Sequence, residues 1–213
     1  MPEKIKLYLP KVHLICILRN PVERAYSHYL LNVREGFEER KFEDALNDEL
    51  IIERGGAEKT IDSRNYYLRA GFYSRALNRY FEYFDRKQIS IFFYDDLIKS
   101  PLNFIQSIFA SLGVGSSYVP DTSTQFNHGG IPLVKRKRMP NQLKHFILRI
   151  RQLLPQDFNM RIYRLQLKAQ NNLLRVPTLS LDTVKFLRDT YTDDIQNLEK
   201  IAQRNLSGWL HNR

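Results

Sequence analysis

The stretch Leu18–Ser27, with the sequence LRNPVERAYS, joins the end of an apolar run to the start of a helix. The run Val12–Leu18 (VHLICIL) is short and rich in β-branched residues, the pattern of a parallel strand that is covered on both faces. Asn20 is a favourable N-cap residue, and Pro21 is a favourable first helical residue because its φ angle is already fixed. Glu23 stands three residues after the cap, where its side chain can reach back to the backbone as in a capping box. The stretch therefore predicts a strand that passes directly into a capped helix.

The predicted helix carries Ser27 away from the core. At about 100° per residue, the apolar side chains form one arc, and Asn20, Arg24 and Ser27 lie on the other side. Ser27 follows Asn20 by roughly 10 Å along the helix axis, a gap that an extended Arg19 side chain and a phosphate could fill. A guanidinium offers a bidentate fork, and a hydroxyl offers a further donor. Arg19 and Ser27 are therefore candidate ligands of an anion. The alternative is an arginine on a surface loop and a serine on a solvated helix face.

The stretch resembles the 3′-phosphate-binding motif of sulfotransferases that use 3′-phosphoadenosine 5′-phosphosulfate (PAPS), in which R-N-P-x-x-R-A-x-S follows a strand. The resemblance is strongest to the bacterial and heparan-sulfate-type branch, and it implies that Arg19 and Ser27 hold the 3′-phosphate of the nucleotide. It also implies an α/β fold, a P-loop-NTPase-like three-layer parallel sheet with a helical C-terminal part. Similar segments continue nearly to the last residue: Gly71–Tyr73, Gln88–Leu97, Pro101–Val114 and Leu179–Leu210.

The strand, phosphosulfate loop and helix with which these sulfotransferases begin have no counterpart in this sequence. Eleven residues precede the predicted first strand, which is too few for such a unit. The usual catalytic base, a Glu in a Glu-Lys-[Ser/Thr] motif, is expected in the same unit; Glu58–Thr60 has those letters but lies in a later, polar stretch. We therefore expect one sulfotransferase domain over residues 1–213 that lacks its first strand and phosphosulfate loop. The catalytic base is unknown, and one sheet edge is left exposed.

Positive charge is concentrated between Lys135 and Lys168. The chain has a net charge of +10, and this segment holds ten Lys or Arg with Asp157 as its one acid. The segment is a solvated basic surface, a patch for an anionic polysaccharide or the nucleotide, or a surface for nucleic acid or anionic membranes. Because related sulfotransferases bring a basic loop over the 3′-phosphate from this part of the chain, Arg136 and Arg138 are further candidate nucleotide ligands. No recognised nucleic-acid motif accompanies the charge, so we expect no nucleic-acid partner.

The remaining composition predicts a cytoplasmic protein without a metal. Cys16 is the one cysteine, which excludes an internal disulfide framework and suits a reducing compartment. No apolar run approaches the roughly 20 residues that span a bilayer, and Met1–Pro10 lacks the apolar core of a signal peptide. The histidines show no metal-ligand spacing. Two of them, His28 and His128, are placed where they could line a cleft.

Periodicity and capping residues predict alternating strands and helices, which indicates a parallel α/β sheet. Phe92–Asp96 (FFYDD) is either a magnesium-binding Walker-B strand or a strand followed by a turn. Without a Walker-A loop we favour the turn, with Asp95 or Asp96 as a cap before Leu97. The predicted elements are strands over 12–18 and 88–94, helices over 2–8, 21–35, 42–54, 66–85, 101–112 and 180–205, and two basic helices up to about residue 169.

The resemblance implies a sulfotransferase that moves a sulfuryl group from PAPS to a hydroxyl or amine, and we expect a carbohydrate acceptor. Because the phosphosulfate loop and the base are not found, we expect this chain to be incomplete and inactive alone. The alternative is a non-catalytic remnant that binds a nucleotide or a polyanion.

Overall fold

A computed structural model describes residues 1–53, 63–115, 118–122, 129–132, 155, 158–159, 161–162, 165 and 174–211. The described part is mixed α/β, mainly helical, with a small parallel sheet. Its helices are α1 (Pro2–Tyr8), α2 (Pro21–Glu35), α3 (Phe42–Glu53), α4 (Tyr73–Phe81), α5 (Tyr94–Lys99), α6 (Pro101–Ser111) and α7 (Leu181–Ala202). Its strands are β1 (Leu14–Leu18), β2 (Ile89–Phe93), β3 (Ile131–Pro132) and β4 (Leu174–Arg175). Several sequence predictions lie outside the described residues: Glu58–Thr60, His128, Arg136, Arg138 and most of the two basic helices.

The predicted strands at 12–18 and 88–94 are confirmed as β1 and β2. They pair in parallel, with Leu14 opposite Ile89 and Leu18 opposite Phe93. Side chains alternate along a strand, and these four residues lie on the face that joins the hydrophobic core. β3 and β4 form a separate antiparallel pair.

The other face of β1 is open, so the prediction of a strand covered on both faces is wrong. Ile15 is 37 % exposed and Ile17 is 50 % exposed. Paired residues of a parallel sheet share a face, and Ile17 pairs with Phe92. Phe104 of α6 packs on Phe92, with ring centroids 5.7 Å apart. α6 thus covers β2 and leaves the outer face of β1 accessible.

The helix starts predicted at Asn20 and Ser180 are confirmed. The Asn20 side chain accepts a hydrogen bond from the Val22 N–H at 3.0 Å and caps α2, with Pro21 in the first turn. Ser180 Oγ accepts from the Thr183 N–H at 3.1 Å and caps α7. These caps satisfy N–H groups that have no partner within the helix.

The helix predicted over 66–85 is shorter in the structure. A 3₁₀ turn occupies Arg69–Gly71, and α4 begins at Tyr73 and ends at Phe81. The buried carboxylate of Glu49 accepts hydrogen bonds from the N–H groups of residues 67, 68 and 69 at 2.9, 2.7 and 2.6 Å. Three consecutive N–H groups that converge on one anion hold the chain in a turn. The helix therefore starts after this turn.

Tyr191 of α7 lies in the centre of the core and has no exposed surface. Its hydroxyl donates to the Leu68 carbonyl at 2.8 Å. A Cβ at Gly71 would stand 2.5 Å from that hydroxyl. Glycine is therefore required at position 71 by the close approach of α7.

The prediction of a turn with Asp95 or Asp96 as its cap is wrong, because α5 begins at Tyr94 and both aspartates lie in its first turn. Asp96 binds Arg204, with Oδ1 at 2.8 Å from Nη2. Asp95 accepts from the indole N–H of Trp209 at 3.2 Å. Both carboxylates bind the C-terminal segment, which fastens it to the end of β2. Within the described residues, no helix is both long and apolar enough to cross a membrane.

Candidate functional site

The carboxyl ends of β1 and β2 meet at one edge of the sheet, where Arg19 follows β1 and Tyr94 follows β2. The Arg19 guanidinium lies over the Tyr94 ring, 5.0 Å from its centroid. Ligands of open α/β sheets bind at the carboxyl ends of the strands. The site predicted around Arg19 therefore stands where this fold class places its ligands. Tyr94 was missed in the sequence, although its position directly after the second strand was the signal that could have located it.

Tyr73, the first residue of α4, fixes the backbone of Arg19. Its hydroxyl donates to the Arg19 carbonyl at 2.9 Å. Burial raises the pKa of Tyr73 to about 12, so the hydroxyl keeps its proton at neutral pH. Together with the Asn20 cap, this hydrogen bond sets where the Arg19 side chain leaves the main chain.

The Arg19 side chain binds Glu23, one helical turn further along. Arg19 Nε and Nη2 stand 3.1 and 3.0 Å from Glu23 Oε2. The predicted capping box is therefore wrong: the Glu23 side chain turns to the guanidinium and leaves the backbone N–H of Asn20. A charge-assisted hydrogen bond to a guanidinium is stronger than one to a neutral N–H, which accounts for the preference.

Ser27 lies on the α2 face that also presents Asn20 and Glu23, because these residues follow one another at helical spacing. Its side chain is half-buried, and among the described residues its hydroxyl has no hydrogen-bond partner. The segment at Gly129 passes beside it, since a Cβ at Gly129 would be 3.9 Å from Ser27 Oγ. Arg19, which precedes the cap of α2, reaches this face through Glu23, and no hydrogen bond joins Arg19 to Ser27. The further candidates Arg136 and Arg138 lie outside the described residues.

Arg24, the second arginine of the stretch, was predicted to lie off the core, and the structure shows it packed inward. Its Nη2 donates to the Tyr67 carbonyl. His28 packs edge-on against the Tyr67 ring, with centroids 5.2 Å apart, and is not among the residues of the cleft described below. Burial, and then the charge of Arg24, lower the pKa of His28. Arg24 and His28 therefore belong to the packing between α2 and the turn before α4.

An open cleft of about 250 Å³ borders the start of α2. Asn20 and Glu23 line one side, and Arg188 of α7 and His211 line another. Apolar side chains, among them Val22, Leu179 and Trp209, complete the lining. The cleft next to the Arg19 edge thus combines an apolar wall with a few polar and charged groups, the usual lining of a small-molecule site. Within the described residues, no group of three His, Cys, Asp or Glu side chains could hold a metal ion.

Comparison with known proteins gives a family and a fold. The sequence matches the family described as Sulfotransferase domain over residues 2–148, more than half of the chain. Among solved structures, the fold is similar to that of the sulfotransferase from Alicyclobacillus acidocaldarius, with a TM-score of 0.66 and 21 % sequence identity. That similarity covers 99 % of this chain and 62 % of the other, so this chain spans less than two thirds of its length. No protein of curated function matches the sequence.

Proposed function

Because the chain belongs to the sulfotransferase domain family, we propose that it binds the 3′-phosphate of PAPS between Arg19 and Ser27 and serves sulfuryl transfer to a hydroxyl or amine acceptor. The observation that carries this proposal is the position of Arg19. Its guanidinium lies against Tyr94 at the carboxyl edge of the parallel strands, and Tyr73 holds its backbone carbonyl. The side chain reaches Glu23, on the helix face that also carries Ser27.

The chemistry of the two side chains suits a phosphate dianion. A guanidinium donates two parallel hydrogen bonds to a phosphate, and each is roughly twice as strong as a neutral one. The Ser27 hydroxyl adds a donor. The neighbouring Gly129 has no side chain, which leaves room beside this hydroxyl. The first turn of α2 adds the partial positive charge of a helix N-terminus. These groups would fix one end of the nucleotide and orient the sulfuryl group at the other end.

The remaining parts of the reaction are proposals drawn from the family. Sulfuryl transfer needs fixed donors around the phosphosulfate and a carboxylate that takes the proton of the acceptor. We assign neither of them in this sequence and propose that the chain is inactive alone. The exposed outer face of Ile15 and Ile17 supports a further layer packed on β1, as in the layered sheet of this family.

For the acceptor we propose a carbohydrate, in the form of an anionic polysaccharide. The support is the charge of +10 and its concentration between Lys135 and Lys168, a segment that lies mostly outside the described residues. A positive surface of this kind raises the local concentration of a polyanion. Cys16 is the one cysteine of the sequence and can form no internal disulfide, which supports the proposal of a reducing, cytoplasmic location.

We call Arg19 and Ser27, as proposed ligands of the 3′-phosphate, the clamp. Calorimetric titration with 3′-phosphoadenosine 5′-phosphate tests it. Arg19→Ala removes a charge-assisted contact and should weaken binding by about 1.5 to 3 kcal/mol, and Ser27→Ala should weaken it by less. Arg34→Ala, at the far end of α2, is the matched control and should bind as the wild type does. Equal affinity of the wild type and Arg19→Ala would contradict the clamp.

Transfer of labelled sulfate from PAPS tests the second half of the proposal. The 213-residue chain should give no detectable transfer to hydroxyl or amine acceptors. Sustained turnover by this chain would show that it holds a base and a phosphosulfate site of its own. Glu58→Ala would then be the first variant to measure, because Glu58 opens the one stretch with the letters of the base motif.

A further inference from the structure

Arg19 Nε donates to Glu23 Oε2 at 3.1 Å, and Nη2 lies 3.0 Å from the same oxygen. The other carboxylate oxygen of Glu23 has no hydrogen-bond partner among the described residues. The nitrogens that a phosphate would use are thus partly occupied by a carboxylate of the same chain. Any anion that binds Arg19 through these nitrogens has to replace Glu23.

The helix geometry places Glu23 between Arg19 and Ser27. Glu23 and Ser27 are four residues apart, so their side chains are neighbours on one face of α2. Arg19 reaches along this face as far as Glu23. A phosphate that binds Ser27 and the Nε–Nη2 edge of Arg19 therefore takes the place where the Glu23 carboxylate now lies.

We propose that Glu23 is an intramolecular competitor for the 3′-phosphate. Its carboxylate binds Arg19 while no phosphate is present, leaves when the phosphate enters, and returns as the nucleotide departs. This role rests on the proposed 3′-phosphate site. Its consequence is weaker binding of the nucleotide product, because Arg19 is occupied in most free molecules and the phosphate has to displace Glu23.

The surroundings favour such an exchange. The Arg19 and Glu23 side chains are 32 % and 50 % exposed, and an exposed ion pair is weak enough for a dianion to displace. Tyr94 holds the guanidinium from the other side, so Arg19 stays in place when Glu23 leaves. The released carboxylate remains in the first turn of α2, where the helix N-terminus still favours a negative charge.

Glu23→Gln tests the competition, because it removes the charge and keeps the size of the side chain. The variant should bind 3′-phosphoadenosine 5′-phosphate about two- to five-fold more tightly, mainly through faster association, because Arg19 is then free when the phosphate arrives. Its affinity for adenosine 5′-phosphosulfate, which lacks the 3′-phosphate, should be unchanged. The gain should shrink as salt is added, because the pair is exposed. Glu35→Gln, on the same helix and paired with Arg34 at 3.3 Å, is the matched control and should show no gain.

Each outcome decides a different point. If Arg19→Ala weakens binding of 3′-phosphoadenosine 5′-phosphate but Glu23→Gln leaves it unchanged or weaker, the clamp stands and the competitor role is wrong. If the gain of Glu23→Gln persists in a chain that also carries Arg19→Ala, the effect does not pass through Arg19 and the role is again wrong. If neither the wild type nor Glu23→Gln binds this nucleotide, while both unfold at the same temperature, the proposed function and the competitor role fall together.

Discussion

Asp194 joins α7 to the start of α4, and its removal should destabilise the fold strongly. Its carboxylate accepts from the Ser74 N–H at 3.0 Å, the Ser74 hydroxyl at 2.6 Å and the Arg75 N–H at 3.1 Å. The N-cap residue of α4 is Phe72, and its side chain makes no capping hydrogen bond. Asp194 is 8 % exposed, so little water can replace it.

The magnitude follows from these three contacts. Hydrogen bonds to a charged group contribute about 1.5 to 3 kcal/mol each, and they do not add fully when they share one acceptor. Asp194→Ala also leaves two N–H groups and a hydroxyl of α4 without their partner in a poorly hydrated place. We expect the free energy of unfolding to fall by about 3 to 5 kcal/mol, a large share of the roughly 5 to 15 kcal/mol of a typical domain. Ser74→Ala loses only the hydroxyl contact and should cost about 1 kcal/mol.

Urea denaturation, followed by circular dichroism, measures these differences. The neighbour Asp193 is exposed, so Asp193→Ala is the matched control and should stay within about 0.5 kcal/mol of the wild type. The double variant Ser74→Ala, Asp194→Ala should lose less than the sum of the two single losses, because both remove the same hydrogen bond. If Asp194→Ala unfolds at the same urea concentration as Asp193→Ala, the reasoning about this buried carboxylate is refuted.

Three other predictions concern the core, the C-terminal anchor and the basic segment. Gly71→Ala should lower the thermal midpoint, with a cost of about 1 to 3 kcal/mol, because its Cβ would press on the Tyr191 hydroxyl; Gly115→Ala, where space is open, should not. Hydrogen bonds from Arg204 lower the pKa of Asp96 in the folded state, so this pair stabilises the fold above the usual Asp pKa of about 3.9. That contribution is lost as the pH falls through the folded pKa, and the difference in unfolding free energy between the wild type and Asp96→Asn should then vanish; a difference that is constant with pH would contradict it. Replacing all four residues of Lys135–Arg138 by Gln should lower the salt concentration that elutes the chain from heparin without moving the thermal midpoint. The control replaces four lysines elsewhere by Gln: Lys4, Lys6, Lys87 and Lys99. If the basic segment binds heparin selectively, this control should elute at a higher salt concentration than the variant of Lys135–Arg138.

The features that depend on neighbouring residues could be predicted from the sequence. β1, the Asn20 cap and the bounds of α2 follow from an apolar run, a capping residue and a proline that stand next to one another. The position of Arg19 at the carboxyl end of the first strand follows in the same way.

The features that depend on distant partners could not be predicted. Glu49 and Asp194 shorten and place α4 from 18 to 20 and from 119 to 120 residues away, so no local pattern contains their effect. Glu23 had two possible partners, and only the folded position of the Arg19 guanidinium decides between them. Whether the outer face of β1 is covered depends on which helices pack there, and the composition of the strand does not contain that information.

The contacts of Arg204 and Trp209 with α5 have a consequence for folding during synthesis on the ribosome. These contacts join residues that are 108 and 114 positions apart, and α7 supplies core side chains such as Tyr191 in between. While a nascent chain still holds α7 and Trp209 in the exit tunnel, β1 and β2 are already outside and lack the part of the core that α7 and Trp209 supply. Domains of this kind fold after synthesis of their last anchoring segment, with their apolar strands open to chaperones until then. A chain that ends before Arg204 would therefore lose both anchors at once and leave the end of β2 without the segment that binds it.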